Sequence, residues 1–360
     1  MAVNNVVLQN FYKGKPVLVT GHTGFKGGWL AAWLKMMDSQ VSGLALPPEN
    51  GSASFFANAQ IGKGMNSLSG DIRDFPSVLK AFKQCKPEII FHCAAQALVL
   101  RSYLEPVETY ATNVMGTAHI LEAARHTPSV RAIVIVTSDK CYENREWLWG
   151  YREHDPMGGY DPYSSSKGCA ELVAAAYRRS FFQGKNSLAV ATVRAGNVIG
   201  GGDWAKDRLI PDLVRGIIKK TAIPIRNPHA LRPWQHVLEP LRGYLMLGQR
   251  LWQGEMGFAE AWNFGPHENS IPVEEVARHL IQLWGAGKLK IENNPSKPHE
   301  AHYLKLDCSK AQTLLGWRSL LMIEDALRLT VEWYHTVAKD AKNAGPITRT
   351  QIQRYMDLPC

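Results

Sequence analysis

Residues 16–27 determine the fold class: Pro16-Val-Leu-Val-Thr20 runs directly into Gly21-His-Thr-Gly24-Phe-Lys-Gly27. The apolar run predicts a buried strand, and apolar residues at helical spacing predict a helix over 27–37. Glycines between a strand and a helix let the backbone approach a pyrophosphate, whose charge the helix N-terminus stabilises. The stretch therefore predicts a dinucleotide-binding βαβ unit, with a glycine loop that serves only as a turn as the alternative.

Strands and helices continue to alternate from this unit to about residue 197. The sequence predicts an α/β fold with a doubly wound parallel sheet of the Rossmann type and a smaller interleaved C-terminal substrate lobe. The pattern breaks at Gly200-Gly-Gly-Asp203. We expect a dinucleotide-binding domain of 1–197 plus about 235–266, and a smaller lobe of 198–234 plus 267–360. The predicted elements are strands at 40–46, 87–93, 132–137, 187–194 and 261–264, and helices at 77–83, 106–124, 163–182 and 236–250.

Composition limits the class of protein. The chain has 360 residues, 45% hydrophobic and 20% charged, as in an ordinary globular protein. The net charge of +9 is spread without a basic run, so an anionic small substrate is expected and a nucleic acid is not. Residues 1–15 lack the plan of a signal peptide and no apolar run reaches the ~20 residues that cross a bilayer, so no membrane is expected. Six cysteines without CxxC spacing favour a reducing cytoplasm, and no metal site is predicted.

The glycine loop has two features that bear on the cofactor. His22 and Lys26 are polar residues in a loop that often packs apolar groups, and Lys26 can alter the seating of the pyrophosphate. The second predicted strand ends in Leu44-Ala-Leu-Pro-Pro48, without an acidic residue for the adenosine ribose or an arginine for a 2′-phosphate. We expect NAD rather than NADP, held less tightly than usual, with Asp71 placed near the adenine.

A second motif lies at Tyr163-Ser-Ser-Ser-Lys167. Four residues apart on a helix, Tyr163 and Lys167 share one face. An ammonium beside a phenol stabilises the phenolate and can bring its pKa of ~10 toward working pH. The phenolate can then take the proton of an alcohol as hydride leaves its carbon. This spacing also occurs by chance in helices. It indicates a catalytic pair here because it occurs in the same chain as the glycine loop.

A third motif, Thr137-Ser138-Asp139-Lys140, follows a predicted strand, at the edge where ligands of open α/β sheets bind. Ser138 can hydrogen-bond the reacting hydroxyl, although a serine at a strand end is usually structural. Asp139 and Lys140 add an acid–base pair that a simple alcohol dehydrogenase does not need. A surface ion pair is the alternative interpretation.

The motifs together resemble those of extended short-chain dehydrogenase/reductases that act on nucleotide sugars, and among them the 4,6-dehydratases. The resemblance covers nearly the whole chain and implies 4,6-dehydration of CDP-glucose with NAD. Helices 106–124 and 163–182 are suited to form a four-helix contact with a second copy, which predicts a homodimer or a higher homo-oligomer. Deoxysugars for cell-surface polysaccharide, such as lipopolysaccharide O-antigen, are the usual destination in that family. The most specific matching stretches are Arg194-Ala-Gly-Asn-Val198, Leu231-Arg-Pro-Trp-Gln-His-Val-Leu-Glu-Pro240 and His299-Glu-Ala-His-Tyr303.

The resemblance also implies roles for single residues. Tyr163 and Lys167 are the redox pair, Ser138 assists them, and Asp139 protonates the departing C6 hydroxyl. Lys140 replaces the glutamate of dTDP-glucose dehydratases, so it acts as the C5 base, which we favour, or as a cation that stabilises the enolate. Cofactor contacts are implied for Tyr163, Lys167, Gly21, Thr23, Gly24, Phe25, Lys26, Gly27, Asp71, Ile72, Ala94 and Ala95. Nucleotide diphosphate contacts are implied for Asn197, Arg208, Leu209, Arg226, Arg232 and His299.

Two other functions stay open at this point. A C4 epimerase or decarboxylase would use the same scaffold, but it does not need an acid such as Asp139 directed at C6. A non-catalytic protein that binds the cofactor could dispense with Tyr163 and Lys167, and both are present.

Overall fold

A parallel sheet of seven strands forms the centre of the computed structural model, which describes residues 5–49, 51, 54–184, 187–267, 270–291 and 303–359. In chain order the strands are β1 (Pro16–Thr20), β2 (Gln40–Ala45), β3 (Asn66–Ser69), β4 (Ile89–His92), β5 (Ala132–Val136), β6 (Ala189–Ala195), β7 (Asn197–Ile199), β8 (Ile223–Ile225), β9 (Leu231–Arg232), β10 (Trp234–His236), β11 (Ala261–Phe264), β12 (Ile271–Pro272) and β13 (Leu289–Ile291).

Helices surround this sheet. In chain order they are α1 (Asn5–Tyr12), α2 (Phe25–Met36), α3 (Phe55–Asn58), α4 (Phe75–Cys85), α5 (Val99–Leu104), α6 (Pro106–Tyr110), α7 (Gly116–Arg125), α8 (Pro162–Ser180), α9 (Leu209–Ile218), α10 (Leu238–Trp252), α11 (Val273–Trp284), α12 (Ile323–Lys339) and α13 (Ala344–Met356). π-helical turns lie at Ala111–Met115 and Ala311–Leu315, and 3₁₀ turns at Asp139–Cys141, Met256–Phe258 and Ala341–Asn343.

The order of the strands confirms the predicted doubly wound sheet. It runs β11-β6-β5-β4-β1-β2-β3, and every neighbouring pair is parallel. The chain order reverses between β1 and β4, where Thr20 pairs with both Leu44 and His92. Loops that follow β1 and β4 therefore separate at this point and open a crevice, which is where ligands of such sheets bind.

The core forms on both faces of the sheet because helices cover both. β5 is buried at all five positions, which explains why its sequence Ala-Ile-Val-Ile-Val is continuously apolar instead of alternating. Trp29 and Trp33 of α2 are also fully buried. The Trp29 indole donates a hydrogen bond to the carbonyl of Gly201 at 2.8 Å, and Trp33 packs edge-on against Tyr355 of α13.

Several elements differ from the sequence prediction. α2 begins at Phe25, two residues early. The sequence analysis also did not predict β3 or the helices α1, α3, α5, α9, α11, α12 and α13. β3 has the polar sequence Asn-Ser-Leu-Ser because it forms the edge of the sheet and lies half in solvent. The predicted helix 106–124 is continuous but contains the π turn, which adds a residue and rotates its face. Val107 is consequently 81% exposed although Leu121 is buried, so the two side chains do not share one face of this helix.

Three short strand pairs, β7–β10, β9–β12 and β8–β13, lie outside the central sheet. Strands β8, β9, β12 and β13 fall where the sequence predicts the smaller lobe, and β7 and β10 lie across its predicted boundaries. The domain boundaries themselves stay a prediction. Within the described residues, no helix combines the length and hydropathy needed to cross a membrane. The same part of the chain contains no cluster of three or more residues suited to hold a metal ion.

Glu239 of α10 is fully buried where the C-terminal segments pack. Its carboxylate accepts hydrogen bonds from the backbone N–H groups of Leu320 and Leu321, at 2.9 and 2.7 Å, and from the Tyr355 hydroxyl at 2.9 Å. Burial nevertheless raises the pKa of Glu239 to about 7. A raised folded-state pKa means that this group stabilises the fold at low pH and that the contribution is lost as pH rises to about 7.

We predict that Glu239→Gln removes this loss of folding stability at rising pH. Because one pKa unit corresponds to about 1.4 kcal/mol, the unfolding free energy of the variant relative to wild type should increase by roughly 2–3 kcal/mol from pH 5 to pH 8. Chemical denaturation at each pH measures the difference. Glu324→Gln, at an exposed position of α12, is the matched control and should show no such trend. A difference for Glu239→Gln that stays constant with pH would contradict the prediction.

Candidate active site

The glycine loop lies between β1 and α2 at the reversal of strand order. Gly21 has a φ of +73°, and a side chain there would come within 2.7 Å of the backbone nitrogen of Ala94. A Cβ on Gly27 would meet the carbonyl oxygen of Gly21 at 2.2 Å. Gly24, which precedes α2, has no side chain to cap the helix. The first backbone N–H groups of α2 are therefore available to an anion. The residues present fit a dinucleotide pyrophosphate.

A cleft of about 2010 Å³ extends from this loop along the carboxyl edge of the sheet. Ligand pockets commonly measure about 300–1,000 Å³, so this cleft has room for two nucleotide-sized ligands. His299 is the one predicted site residue that falls outside the described residues. All the others line this cleft: Gly21, Thr23, Gly24, Phe25, Lys26, Gly27, Asp71, Ile72, Ala94, Ala95, Ser138, Asp139, Lys140, Tyr163, Lys167, Asn197, Arg208, Leu209, Arg226 and Arg232.

The two polar residues of the glycine loop lie in different surroundings. His22 is buried below the loop, where a ring nitrogen lies 2.7 Å from the Ser67 hydroxyl and its ring packs edge-on against Phe56. Burial lowers the pKa of His22 to about 4, so it is a neutral structural residue. Lys26 instead lines the cleft, where burial and the charge of Arg208 lower its pKa to about 8.

At the end of the cleft where the adenosine is expected, the structure adds charges that the sequence did not reveal. Glu49 lies just after the two prolines that follow β2 and contacts Arg101 of α5 at 3.0 Å. Asp71 accepts two hydrogen bonds from the Arg73 guanidinium, at 2.6 and 2.9 Å, and these hydrogen bonds lower its pKa. Glu108 lies within 3.4 Å of both arginines. Arginines are therefore present at this end, but each is paired with carboxylates.

α8 presents the Tyr–Lys pair. Asp161 caps the helix by accepting hydrogen bonds from the backbone N–H and hydroxyl of Ser164, at 2.9 and 2.6 Å. Tyr163 and Lys167 follow on one face and are 8% and 5% exposed. Lys167 Nζ donates to the carbonyl of Val136, the last residue of β5, at 3.2 Å. The pair is thereby held against the strand that leads into the third motif.

The protonation of the pair differs from the sequence expectation. Burial raises the pKa of Tyr163 above its ordinary value, and the opposing influences are the charge of Lys140 and a hydrogen bond with Ser138. The charge of Arg208 also lowers the pKa of this phenol, and the expected influence of Lys167 stays a prediction. Burial and the charge of Lys26 lower the pKa of Lys167 itself to about 8. A less basic Lys167 stabilises the Tyr163 phenolate less.

The third motif forms a 3₁₀ turn at the end of β5. Ser138 Oγ accepts from the Lys140 N–H at 3.2 Å and donates to Asp139 Oδ1 at 3.0 Å. Lys140 Nζ also donates to Asp139 Oδ1, at 3.3 Å. Asp139 is fully buried, and its Oδ2 has no hydrogen-bond partner among the described residues. A buried carboxylate oxygen without a partner is costly unless a ligand group meets it.

The predicted phosphate-binding arginines converge from the smaller strand pairs and α9. Arg208 donates to Asp203 Oδ2 at 3.0 Å, and the charge of that carboxylate raises its pKa. Arg226 lies 3.1 Å from Asp207. Asp203 lines the cleft and was not among the site residues inferred from the sequence, since nothing in a Gly-Gly-Asp turn predicts which arginine it will contact.

These features define a class of protein. A parallel doubly wound sheet, with a dinucleotide loop after β1 and a Tyr–Lys pair on a helix beside β5, is the arrangement of extended short-chain dehydrogenase/reductases. A model of the GDP-mannose 4,6 dehydratase family matches residues 18–330. CDP-glucose 4,6-dehydratase of Salmonella typhimurium is 53% identical over 331 residues, which cover 91% of this chain and 92% of that protein. The chain belongs to the GDP-mannose 4,6 dehydratase family.

Other relatives and solved structures agree on the fold. A dTDP-glucose 4,6-dehydratase of Streptomyces antibioticus is 28% identical over 270 residues, 74% of this chain and 75% of that protein. The dTDP-glucose 4,6-dehydratase of Streptomyces venezuelae, solved with NAD bound, is 24% identical with a TM-score of 0.76 and covers 92% of this chain and 99% of its own. UDP-glucose 4-epimerase of Thermus thermophilus, also solved with NAD, is 23% identical with a TM-score of 0.77, covering 89% and 98%.

We predict that Gly21→Ala weakens dinucleotide binding at least about tenfold. An alanine at a positive φ costs roughly 1–2 kcal/mol anywhere, but here its methyl group also pushes the loop away from Ala94. Gly14→Ala is the matched control, because Gly14 has a φ of +72° with nothing within 4 Å of the added carbon. Titration calorimetry with NAD should separate the two. Equal affinities in both variants would show that the close approach at Gly21 does not matter.

Proposed function

We propose that this protein is a CDP-D-glucose 4,6-dehydratase that oxidises C4 of CDP-glucose, eliminates water across C5–C6 and reduces C6, giving CDP-4-dehydro-6-deoxy-D-glucose. The observation that carries the proposal is Asp139, a buried carboxylate in the cleft with one oxygen awaiting a partner. An acid in this position suits a departing hydroxyl, which neither an epimerase nor a simple dehydrogenase has. The 53% identity to a CDP-glucose dehydratase supports the nucleotide.

The cofactor in this proposal is NAD. It would lie with its pyrophosphate on Gly21–Gly27 and the N-terminus of α2, and with its adenosine toward Asp71 and Ile72. NAD supplies the acceptor for the C4 hydride and its return to C6. Carboxylates already pair with the arginines at the adenosine end, which disfavours the additional phosphate of NADP.

The substrate diphosphate would be held by Arg208, Arg226 and Arg232, since arginine forms bidentate, charge-assisted bonds to phosphate. Asn197 and Leu209 line the same part of the cleft. Arg208 is oriented by Asp203, and its charge also favours the phenolate of Tyr163. This position makes it suited to link substrate binding to the acid–base group.

In the first step Tyr163 accepts the proton of the C4 hydroxyl. Ser138, which hydrogen-bonds Tyr163, orients that hydroxyl. The charge of Lys140 favours the phenolate, and so would the positive nicotinamide of a bound NAD. The resulting C4 ketone acidifies the proton on C5, so that loss of water across C5–C6 becomes feasible.

Elimination requires a base at C5 and an acid at C6, and the contact between Lys140 and Asp139 can supply both. If the Lys140 ammonium passes a proton to Asp139, an amine and a carboxylic acid result, with no change in net charge. The amine takes the C5 proton and the acid protonates the leaving C6 hydroxyl, which restores the original pair. A proton then returns to C5 as C6 is reduced. It balances the one that Tyr163 took from the C4 hydroxyl, so that its transfer restores the phenolate. Alternatively, Lys140 stays charged and stabilises the enolate.

Substitutions at Lys140 separate these two roles. Lys140→Met should abolish water loss and leave C4 oxidation visible as transient NADH absorbance. Lys140→Arg keeps the charge but cannot act as a base near neutral pH. If Lys140 is the base, Lys140→Arg should lose elimination by roughly 10²- to 10⁴-fold, as the methionine variant does. Elimination that persists in Lys140→Arg would identify the cation role, and full dehydration by Lys140→Met would refute any chemical role.

The whole proposal is tested by turnover with CDP-, UDP-, dTDP- and GDP-glucose and added NAD, followed by the alkaline absorbance of a 4-keto sugar. CDP-glucose should be the preferred substrate and should give the 6-deoxy product. Formation of a C4 epimer without loss of water, or no reaction with any of the four sugars, would contradict it. Equal or better turnover with NADP after bound cofactor has been stripped would contradict NAD.

We also propose a homodimer formed through α6, α7 and α8, and a cytoplasmic location, which the buried thiols of Cys141 and Cys308 support. Apolar side chains on these helices and the adjoining α5 face outward: Leu104 is 82% exposed, Val107 81% and Leu172 60%. Two copies that pack these faces together would remove this surface from water, and the gain is about 25 cal/mol per Å².

We predict that Val107→Asp dissociates the dimer, because a carboxylate cannot be buried in this interface without a partner. Leu314→Asp, at another exposed apolar position 59% exposed and remote in sequence from these helices, is the control and should leave the dimer intact. Sedimentation velocity measures both variants. A monomeric wild-type protein would exclude the dimer.

A further inference from the structure

Behind the catalytic turn lies a buried ion pair that no step proposed above uses. Glu171 follows Lys167 by one helical turn and lies on the face of α8 that carries Tyr163. Its carboxylate accepts hydrogen bonds from Nε and Nη2 of Arg194 on β6, each at 2.9 Å. The two side chains are 3% and 4% exposed. The pair therefore joins the helix that carries the redox residues to the neighbouring strand.

This ion pair also holds the beginning of the catalytic turn. The Thr137 hydroxyl, directly before Ser138, donates to Glu171 Oε1 at 2.5 Å. The backbone N–H of Thr137 donates to the Val193 carbonyl at 2.9 Å. Thr137, at the beginning of the turn, is thus attached to fixed partners through both its backbone and its side chain.

The end of the same turn is attached to Arg194, the other member of the ion pair. Tyr142 comes directly after the turn, and its hydroxyl accepts from Arg194 Nη1 at 2.6 Å, while the guanidinium lies 4.8 Å from the ring centre. The Tyr142 hydroxyl donates in turn to Asn263 Oδ1 at 2.8 Å. Asn263 Nδ2 donates to the backbone carbonyls of Tyr151 and Asp307, at 2.8 and 3.1 Å. The connection extends into the C-terminal part of the chain.

We propose that Glu171 and Arg194 are positioning residues for the dehydration step: by fixing Thr137 and Tyr142 they hold Asp139 and Lys140 at a set distance from Tyr163. The inference rests on the proposed function, since it names which half of that reaction the pair serves. C4 oxidation takes its base, Tyr163, from α8 and receives only assistance from Ser138 and Lys140, whereas elimination takes both its acid and its base from the turn. Loosening the turn therefore impairs elimination more than oxidation.

The charges explain why these residues serve better than apolar ones. A buried ion pair gives little net stability compared with well-packed apolar side chains, but its hydrogen bonds have fixed directions. Glu171 accepts from Thr137, Thr192 and twice from Arg194, and these bonds with the charge of Arg194 lower its pKa. The carboxylate stays charged and keeps all its donors in one arrangement. Apolar packing would permit small shifts of the turn.

The test replaces the two attachments of the turn and leaves the ion pair in place. Thr137→Val removes the attachment at the beginning of the turn, and Tyr142→Phe removes the one at its end. Thr192→Val is the matched control, because the Thr192 hydroxyl donates to the same carboxylate at 2.6 Å but is not attached to the turn. Thermal unfolding should show similar losses for the two threonine variants, since each removes one hydroxyl donor from the same acceptor.

Single-turnover measurements with CDP-glucose then compare NADH formation with water loss. In Thr137→Val and Tyr142→Phe we expect elimination to slow by roughly ten- to a hundredfold, as misplacement of reacting groups by about 1 Å does, while C4 oxidation changes less than about threefold. Thr192→Val should keep the wild-type ratio of the two rates. A wild-type ratio in both turn variants would overturn the proposal, and so would an equal change in Thr192→Val.

Amide hydrogen exchange of the peptide over residues 138–142 provides a readout that needs no substrate. Exchange should be faster in Thr137→Val and Tyr142→Phe and unchanged in Thr192→Val. If wild-type protein does not convert CDP-glucose, the proposed function fails. The hydrogen-exchange measurement still decides whether the Glu171–Arg194 pair orders the turn. Unchanged exchange in both turn variants would show that it does not.

Discussion

The ion pair between Glu171 and Arg194 is the interaction on which the catalytic edge of the sheet depends. Taking two charges out of water costs several kcal/mol for each ion. The cost is offset here only because the hydrogen-bonding capacity of Glu171 is filled by donors from β6 and from Thr137, which directly follows β5. The pair joins α8 to two strands and to the turn that ends β5. The ion pair thereby fixes the position of Asp139 relative to Tyr163.

Positive charge crowded into a half-buried cleft is the second constraint. Lys26, Lys167 and Arg208 all lie along the cleft, and mutual repulsion adds to burial in lowering the pKa of both lysines to about 8. A dinucleotide and a nucleotide diphosphate would neutralise this charge, because both carry phosphates. The same crowding favours ligands that bring negative charge.

The parts of the molecule that sequence predicts well are those set by short-range patterns. The strand–glycine–helix stretch placed the loop, the continuous apolar run of β5 placed a central strand, and a spacing of four put Tyr163 and Lys167 on one face. Predictions failed where neighbours in space decide the outcome. β3 is polar because it is an edge strand, and the π turn at Ala111–Met115 rotated a helix that looked regular. The pKa of Tyr163 depends on burial, which no spacing reveals.

The sequence by itself predicted the class of fold from the alternation of strands and helices. It also predicted the glycine loop and the pairing of Tyr163 with Lys167, because each of these depends on residues within about two helical turns of one another. Only the tertiary structure decided that Asp139 is buried with an open oxygen, that Glu49 meets Arg101 and that Arg194 reaches Tyr142. Those contacts join residues up to 52 positions apart, and they arise from the order in which strands pair in the sheet. That order is set by packing over the whole domain, and with it come the burial and the charge that tune the site.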